Sequence, residues 1–124
     1  MAEILLTQEQ LQEKLVYWQE KLRLQDWILT ARIARAREMN AEYVAQVNWN
    51  LSKKMATIYI LDPIDYPDDC MGDRDMENDL VHELLHLHLA PISEHFSENK
   101  AVYNTFEEQA IESIAFGLIQ AERK

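Results

Sequence analysis

Two histidines and a glutamate in the second half of the chain have the types and the spacing that metal-dependent hydrolysis uses. The run HELLH occupies residues 82–86. Residues four apart on an α-helix lie on one side, a turn apart, so the imidazoles of His82 and His86 can reach one metal ion. Glu83 follows the first histidine and can act on a water bound to that metal. This combination predicts a zinc site with Glu83 as the catalytic base.

A third protein ligand must come from elsewhere in the chain. A metzincin would supply it as the last histidine of HExxHxxGxxH, but Leu89 and Ile92 stand at the glycine and histidine positions. The other common source is a glutamate on a later helix. The helical segment 106–115 contains two neighbouring candidates, Glu107 and Glu108.

The helices that must hold these residues are predicted from hydrophobic periodicity. Apolar residues recur at steps of three and four over residues 76–87, which predicts an HExxH helix. We expect Asp73 or Asp75 to cap its start and Pro91 to mark its end. An earlier helix is predicted over residues 8–23, opened by a capping box at Thr7.

The last helix is predicted to begin between residues 97 and 105 and to fray at residues 122–124. One face of it is apolar and is expected to be buried. The residues assigned to that face are Phe106, Ile111, Ile114, Ala115, Leu118 and Ile119.

Three strands are predicted between the first helix and the HExxH helix. Residues 27–33, 44–51 and 55–61 have the alternation and the β-formers of strands. The short turn at 52–54 favours antiparallel pairing of the last two. Residues 62–73, rich in aspartate and proline, predict a surface crossover, because their oxygen ligands do not fall at EF-hand positions.

These elements predict an α+β fold in a single domain over residues 1–124. Its parts are an N-terminal helix, a small three-stranded and largely antiparallel sheet, the HExxH helix and a C-terminal glutamate helix. The chain of 124 residues is 48% hydrophobic, enough for a modest core.

The net charge limits the kinds of binding partner that we expect, and the cysteine content bears on the cellular compartment. Twenty-two acidic residues against 12 basic ones give a formal net charge of −10. We therefore expect no direct binding to nucleic acid or to anionic membranes. Cys70 is the single cysteine, so no internal disulfide can form, and we expect it to be an ordinary unpaired thiol. With no visible signal peptide or spanning segment, the chain is predicted to be soluble and cytoplasmic.

The order of helix, strands, HExxH helix and glutamate helix resembles the core of a gluzincin metallopeptidase, in the reduced form of small bacterial and phage-encoded members. Residues 82–86 and 108–112 carry the resemblance. In gluzincins the ligand glutamate often has an acidic residue four positions later that supports the site. Glu108 and Glu112 have this spacing, with Glu where Asp is usual. The family's E-x-x-A pattern would instead align on Glu107, so Glu108 is the preferred third ligand and Glu107 the alternative.

The resemblance also implies a mode of substrate binding. In this binding mode the third strand, residues 55–61, forms the edge of the cleft, and an extended peptide substrate pairs with that strand. The alternative for this strand is a plain edge that binds nothing.

Other polar residues near the motif have weaker claims to a role. His88 lies about 200° around the helix from His86 and is expected to be a partly buried packing residue. His95 is a candidate electrophile, and Tyr66 and Tyr103 are candidates for stabilising an oxyanion. Asp79, one turn before His82, either orients that imidazole or is simply solvated.

The sequence thus predicts a zinc-dependent metallopeptidase acting on a peptide or protein substrate. Zinc held by His82, His86 and Glu108 activates a water, and Glu83 transfers its proton to the leaving amine. Two alternatives belong to other classes. One is a zinc-binding or sensor protein that has lost turnover; the other is an acidic interaction protein, such as a nucleic-acid mimic.

Overall fold

Helix α1 spans Gln8–Lys21 and begins at the predicted capping box. The Thr7 side chain accepts a hydrogen bond from the Gln10 N–H, and the Gln10 side chain accepts one from the Thr7 N–H. Both bonds satisfy donors that a helix start leaves without partners.

The computed structural model describes four parts of the chain, namely residues 3–40, 42–67, 72–95 and 100–124.

Three strands form one sheet: β1 (Ile28–Ala34), β2 (Ala45–Asn50) and β3 (Met55–Leu61). Their order is β1-β3-β2. The antiparallel pairing of β2 with β3 is confirmed, whereas β1 pairs with β3 in parallel. The sheet is therefore mixed, and the prediction of a largely antiparallel sheet is only partly right.

The central position of β3 also corrects the prediction that this strand forms the cleft edge. β3 has neighbours on both sides, and β2 is the strand beside the HExxH helix. The physical reason lies in burial. Four of the seven β3 residues are buried, against two in β1 and none in β2, and the most buried strand takes the middle of a sheet.

Helix α2 spans Met76–His95 and carries the HExxH run. Asp75 caps it, because its side chain accepts a hydrogen bond of 3.0 Å from the Asn78 N–H. The prediction that the helix ends at Pro91 is wrong, since α2 continues for another turn. Proline removes the hydrogen bond to the carbonyl of residue 87, but burial of Ala90 and Ser93 holds the last turn in place.

Helix α3 spans Lys100–Glu122 and packs antiparallel to α2. Its buried residues are spaced by four and are Glu107, Ile111, Ala115 and Ile119. Phe106 and Ile114 were predicted to be buried, but they are 63% and 50% exposed. Each immediately precedes a member of the buried row, and one residue turns a helix by about 100°.

The core lies where α1 and α2 cover the sheet. Its largest buried side chains include Leu11, Leu15, Ile58, Ile60, Leu80 and Leu84. Burying each stabilises the fold by roughly 1.5–3 kcal/mol relative to exposure.

None of the helices in the described ranges combines the length and apolarity of a membrane span. The predicted crossover includes a short 3-10 turn over Pro63–Asp65, and Cys70 lies outside the described residues.

Candidate metal centre

The antiparallel pairing of α2 and α3 brings the two histidines of the HExxH run against three glutamates. His82 lies opposite Glu112, and His86 lies opposite Glu107 and Glu108. The order along the two helices is opposite, so a later residue on α2 meets an earlier one on α3. Each of the two imidazoles therefore has carboxylates on more than one side.

Glu108 contacts the same nitrogen of both rings. Its Oε1 lies 2.7 Å from His86 Nε2 and 3.3 Å from His82 Nε2. The ring centroids are 5.2 Å apart, and the three potential ligand atoms lie within 4.8 Å of one another. This His-His-Glu group could hold a metal ion.

The other nitrogen of each ring contacts a different carboxylate. His86 Nδ1 is 2.7 Å from Glu107 Oε2, and His82 Nδ1 is 3.2 Å from Glu112 Oε2. A neutral imidazole that donates from Nδ1 keeps its Nε2 lone pair free for a metal. Asn78, one turn before His82, donates a hydrogen bond of 3.3 Å to Glu112.

The donor set fits a small divalent ion in size and chemistry. Metal–nitrogen and metal–oxygen distances near 2.0–2.2 Å in a tetrahedron place ligand atoms about 3.3 Å apart. The separation of Glu108 from His82 Nε2 matches this at 3.3 Å, and that from His86 Nε2 is shorter at 2.7 Å. Both Nε2 atoms face the same carboxylate oxygen. His86 Nδ1 forms a hydrogen bond with Glu107, and His82 Nδ1 lies 3.2 Å from a Glu112 oxygen. Such outer contacts orient imidazole ligands in metal sites.

Glu107 does not lie on the Nε2 side of the pair. Its side chain is buried and meets His86 from behind, at Nδ1. Tyr103 is half-buried one turn earlier; burial raises the pKa of its phenol, and a hydrogen bond to Glu107 raises it further. Of the two neighbouring glutamates, Glu108 is the one that the geometry groups with both histidines.

Glu83 is buried at the same centre. Burial is the main cause that raises the pKa of its carboxyl group to about 8, and the charges of Glu108, Asp79 and Glu112 act in the same direction. A cation held beside Glu108 would oppose this shift by favouring the ionised form. An ionised Glu83 and a metal ion bound beside Glu108 would stabilise each other.

Asp79 does not orient His82. Its carboxylate pairs with the buried guanidinium of Arg74 at 3.3 Å, and Glu112 takes the contact with the imidazole instead. Burial nevertheless raises the pKa of Asp79 to about 6, against the opposing effect of Arg74. Tyr66 lies against the same Arg74, with the guanidinium carbon 4.9 Å from the ring centroid.

The two remaining histidines lie apart from the centre. His88 is exposed rather than partly buried, and its Nε2 donates a hydrogen bond of 2.6 Å to the Leu22 carbonyl. This bond ties α2 to the end of α1. His95 is exposed in the last turn of α2.

An open cleft of about 400 Å³ runs from the metal centre along β2. Its lining residues come from three walls: Tyr43, Ala45, Gln46, Val47 and Trp49 at β2; Glu83, His86, Ser93 and Glu94 on α2; Lys100, Asn104, Glu107 and Glu108 on α3. His95, Tyr66 and Tyr103 are not among them.

Sequence reasoning missed the β2 wall and two amides, Asn78 and Asn104. The amides could have been found from their spacing, because they stand four residues before His82 and Glu108 and therefore on the same helix faces. The β2 wall had no such local signal, since a strand's neighbours depend on sheet order.

Comparison with known proteins finds no relative of this chain. No known protein family, curated protein or solved structure matches the chain. The likeness to gluzincins is accordingly a resemblance carried by residues 82–86 and 108–112, together with the order of the elements.

Proposed function

We propose that the protein is a zinc-dependent metallopeptidase in which His82, His86 and Glu108 bind the metal and Glu83 is the general base. The observation that carries the proposal is the convergence of both Nε2 atoms on Glu108 beside the buried Glu83. Two imidazoles and one carboxylate suit zinc better than magnesium or calcium, which prefer oxygen ligands.

The chain's own residues then have distinct tasks. Zinc, when bound, polarises the substrate carbonyl and lowers the pKa of a coordinated water. Glu83 accepts a proton from the attacking water and passes it to the leaving amine. Glu107 and Glu112 hold the two imidazoles in the tautomer that leaves Nε2 available.

The free edge of β2 is the proposed binding surface for an extended peptide. The Leu61 N–H donates to the Val44 carbonyl across the β2–β3 pair. Hydrogen-bonded positions alternate in an antiparallel ladder, so the N–H and C=O groups of Ala45, Val47 and Trp49 point away from β3. All three residues line the cleft. A peptide added here as a further strand would run past the metal centre.

The opposite edge of the sheet supports this assignment because it is already occupied. The Gln8 side chain donates to the Ala31 carbonyl at 3.0 Å and accepts from the Ile33 N–H at 3.0 Å. One amide thus pairs with β1 as a neighbouring strand would, and such covering discourages further pairing. Of the two outer strands, β2 is the one whose edge faces the cleft.

A zinc-binding or sensor protein without turnover is the second candidate, and one observation favours it. Tyr66 packs against Arg74, and Tyr103 hydrogen-bonds Glu107, so neither predicted oxyanion group lines the cleft. Catalysis would then depend on zinc and on other cleft residues, such as Asn104, to stabilise developing negative charge.

Metal analysis and a cleavage assay test the proposal together. We expect purified protein to contain about one zinc per chain and to cleave members of a mixed peptide library. The Glu83→Gln variant should keep its zinc and lose cleavage, because only the base is removed. Zinc without cleavage in the wild type would favour the second candidate. Stoichiometric zinc retained after His82→Ala and His86→Ala together would rule out this metal site.

A further inference from the structure

The cleft along β2 is lined by more acidic than basic side chains. Its acidic residues are Glu83, Glu94, Glu107 and Glu108, and its basic residue is Lys100. Three of the four glutamates belong to the candidate metal centre, because two contact its histidines and the third is buried beside them. Glu94 is the exception. It follows the last histidine of the HExxH run by eight residues, which is about 12 Å along α2.

The carboxylate of Glu94 is held in place, but its charge is not neutralised. Its Oε2 accepts a hydrogen bond from the Trp49 indole N–H. Within the described parts of the chain, no lysine or arginine forms an ion pair with this carboxylate. A neutral amide oxygen would accept the same indole bond. The contact between α2 and β2 therefore does not explain why this side chain is charged.

The Trp49 ring gives the carboxylate an aromatic neighbour. Trp49 is half-buried in β2 and lines the same cleft. An arginine guanidinium can stack on such a ring while it donates hydrogen bonds to a carboxylate. An aromatic ring beside an unpaired carboxylate therefore suits a basic side chain, and suits arginine better than lysine.

A second acceptor in the cleft also lacks a donor. Glu107 is 8% exposed, and its Oε2 is bonded to the His86 ring. Its other oxygen, Oε1, is buried and has no hydrogen-bond partner in the described part of the chain. An unpaired buried acceptor is unfavourable, so the cleft favours a ligand that brings N–H donors into it.

Lys100 does not neutralise Glu94, although both residues line the cleft. Its ammonium group donates a hydrogen bond of 2.5 Å to the Ser93 carbonyl, near the end of α2. Carbonyl groups in the last turn of a helix have no partner within that helix, so Lys100 has a structural role there. The carboxylate of Glu94 stays available to a ligand.

On the basis of the proposed peptidase function, we infer that the cleft selects peptides with a basic residue, preferably arginine, whose side chain pairs with Glu94 against the Trp49 ring. An extended peptide advances about 3.3 Å per residue, so a distance of about 12 Å corresponds to about three or four residues. The basic residue therefore lies about that many positions to one side of the cleaved bond. The net charge of −10 attracts a cationic peptide and adds to the selection.

Calorimetric titration of the Glu83→Gln protein with zinc present measures peptide binding without cleavage. The probes are peptides with arginine fixed at one position at a time, each compared with the same peptide carrying glutamine there. We expect the best arginine peptide to bind about tenfold more tightly than its glutamine partner. Adding Glu94→Gln should reduce this ratio to near one and leave binding of the glutamine peptide unchanged, because the amide still accepts the Trp49 bond.

Glu13→Gln is the matched control for the loss of charge. Glu13 is exposed on α1 and does not line the cleft, so this variant should keep the binding ratio. Melting temperatures should be equal in Glu94→Gln and the wild type, which separates a loss of selectivity from a loss of the fold.

Cleavage by the wild type separates this inference from the proposed function. We expect kcat/KM to favour the arginine peptides by a similar factor, and Glu94→Gln to remove that preference without slowing cleavage of the glutamine peptides. Arginine-selective binding without cleavage would support the inference and count against the peptidase function. Equal or undetectable binding of both kinds of peptide would overturn the inference. So would an unchanged ratio in Glu94→Gln, or a preference for acidic peptides that Lys100→Gln abolishes.

Discussion

Each histidine of the HExxH run contacts α3 through both of its nitrogens, and the two contacts have different consequences. On the Nε2 side both rings meet one oxygen of Glu108. On the Nδ1 side Glu107 and Glu112 each hold one ring. The first arrangement could provide a metal ligand shared by both rings, and the second would fix the orientation of the rings.

Replacing the three glutamates one at a time should therefore lower the zinc affinity by different amounts. Glu108→Gln replaces a charged ligand by a weaker neutral donor, so we expect it to cause the largest loss of affinity. Glu107→Gln and Glu112→Gln should each lower the affinity by about 10–100-fold, as is typical of outer contacts. Competition with a chromogenic chelator measures all three. A larger loss of zinc affinity in Glu107→Gln than in Glu108→Gln would mean that Glu107, not Glu108, is the third ligand.

Asp79 should make the stability of the zinc-free protein depend on pH. Its pKa is about 6 in the folded state against an ordinary 3.8, so folding favours the protonated form. The stabilisation is complete below pH about 4 and is lost as pH rises through 6, on the order of 3 kcal/mol. Urea unfolding at pH 5 and 7.5 should show a smaller change in Asp79→Asn than in the wild type. Equal changes would contradict the shifted pKa.

At the scale of elements, α2 continues past Pro91 and so contacts β2 beyond the HExxH run. The HExxH run lies in the middle of a helix whose last turn, after Pro91, brings Glu94 to Trp49 of β2. The indole N–H donates to that carboxylate and so closes the far end of the cleft wall. The stability of this turn comes from tertiary contacts rather than from an unbroken ladder of hydrogen bonds.

Replacing Pro91 should therefore stabilise the protein. Pro91→Ala restores a hydrogen bond to the carbonyl of residue 87 and removes a helix-breaking ring, so we expect a gain of roughly 1–3 kcal/mol in the free energy of unfolding. Urea denaturation measures it, with Ile92→Ala, an exposed neighbour, as the control. A loss of stability in Pro91→Ala would mean that the helix does not continue as described.

At the scale of the whole molecule, a polar cluster ties the end of α3 to the start of α2. Arg123 donates to Asp75 at 2.6 Å and to Glu77 at 3.0 Å. Glu77 is buried and also accepts a bond of 2.7 Å from the Trp18 indole. The three helices are thus joined where α2 begins and α3 ends.

Loosening this cluster should weaken both the fold and the metal centre. Arg123→Gln leaves the buried Glu77 with one charged partner fewer, and we expect it to lower the free energy of unfolding by about 1–3 kcal/mol. Zinc affinity should fall as well, because α3 supplies Glu108. Arg37→Gln makes the same charge change at an exposed site and should alter neither quantity. Unchanged affinity in a destabilised Arg123→Gln would show that the centre does not depend on this anchoring.

The sequence by itself determined the features that depend on neighbours along the chain. The capping box at Thr7, the bounds of β3 and the convergence of His82 and His86 on one face all follow from spacings of two to four residues. The antiparallel helix pair brings two neighbouring rows of α3 to the HExxH face, one through Glu107 and one through Glu108 and Glu112, and Glu108 is the glutamate that lies beside both histidines.

Only the tertiary structure decided which strand lies at the centre of the sheet and which side of α3 is buried. Sheet order depends on the competition of three strands for the most buried position, and no local pattern records the outcome. Likewise, α3 has apolar residues on more than one side, so Phe106 and Ile114 resemble core residues until α2 selects the row through Ile111. Packing partners, which are distant in sequence, make that choice.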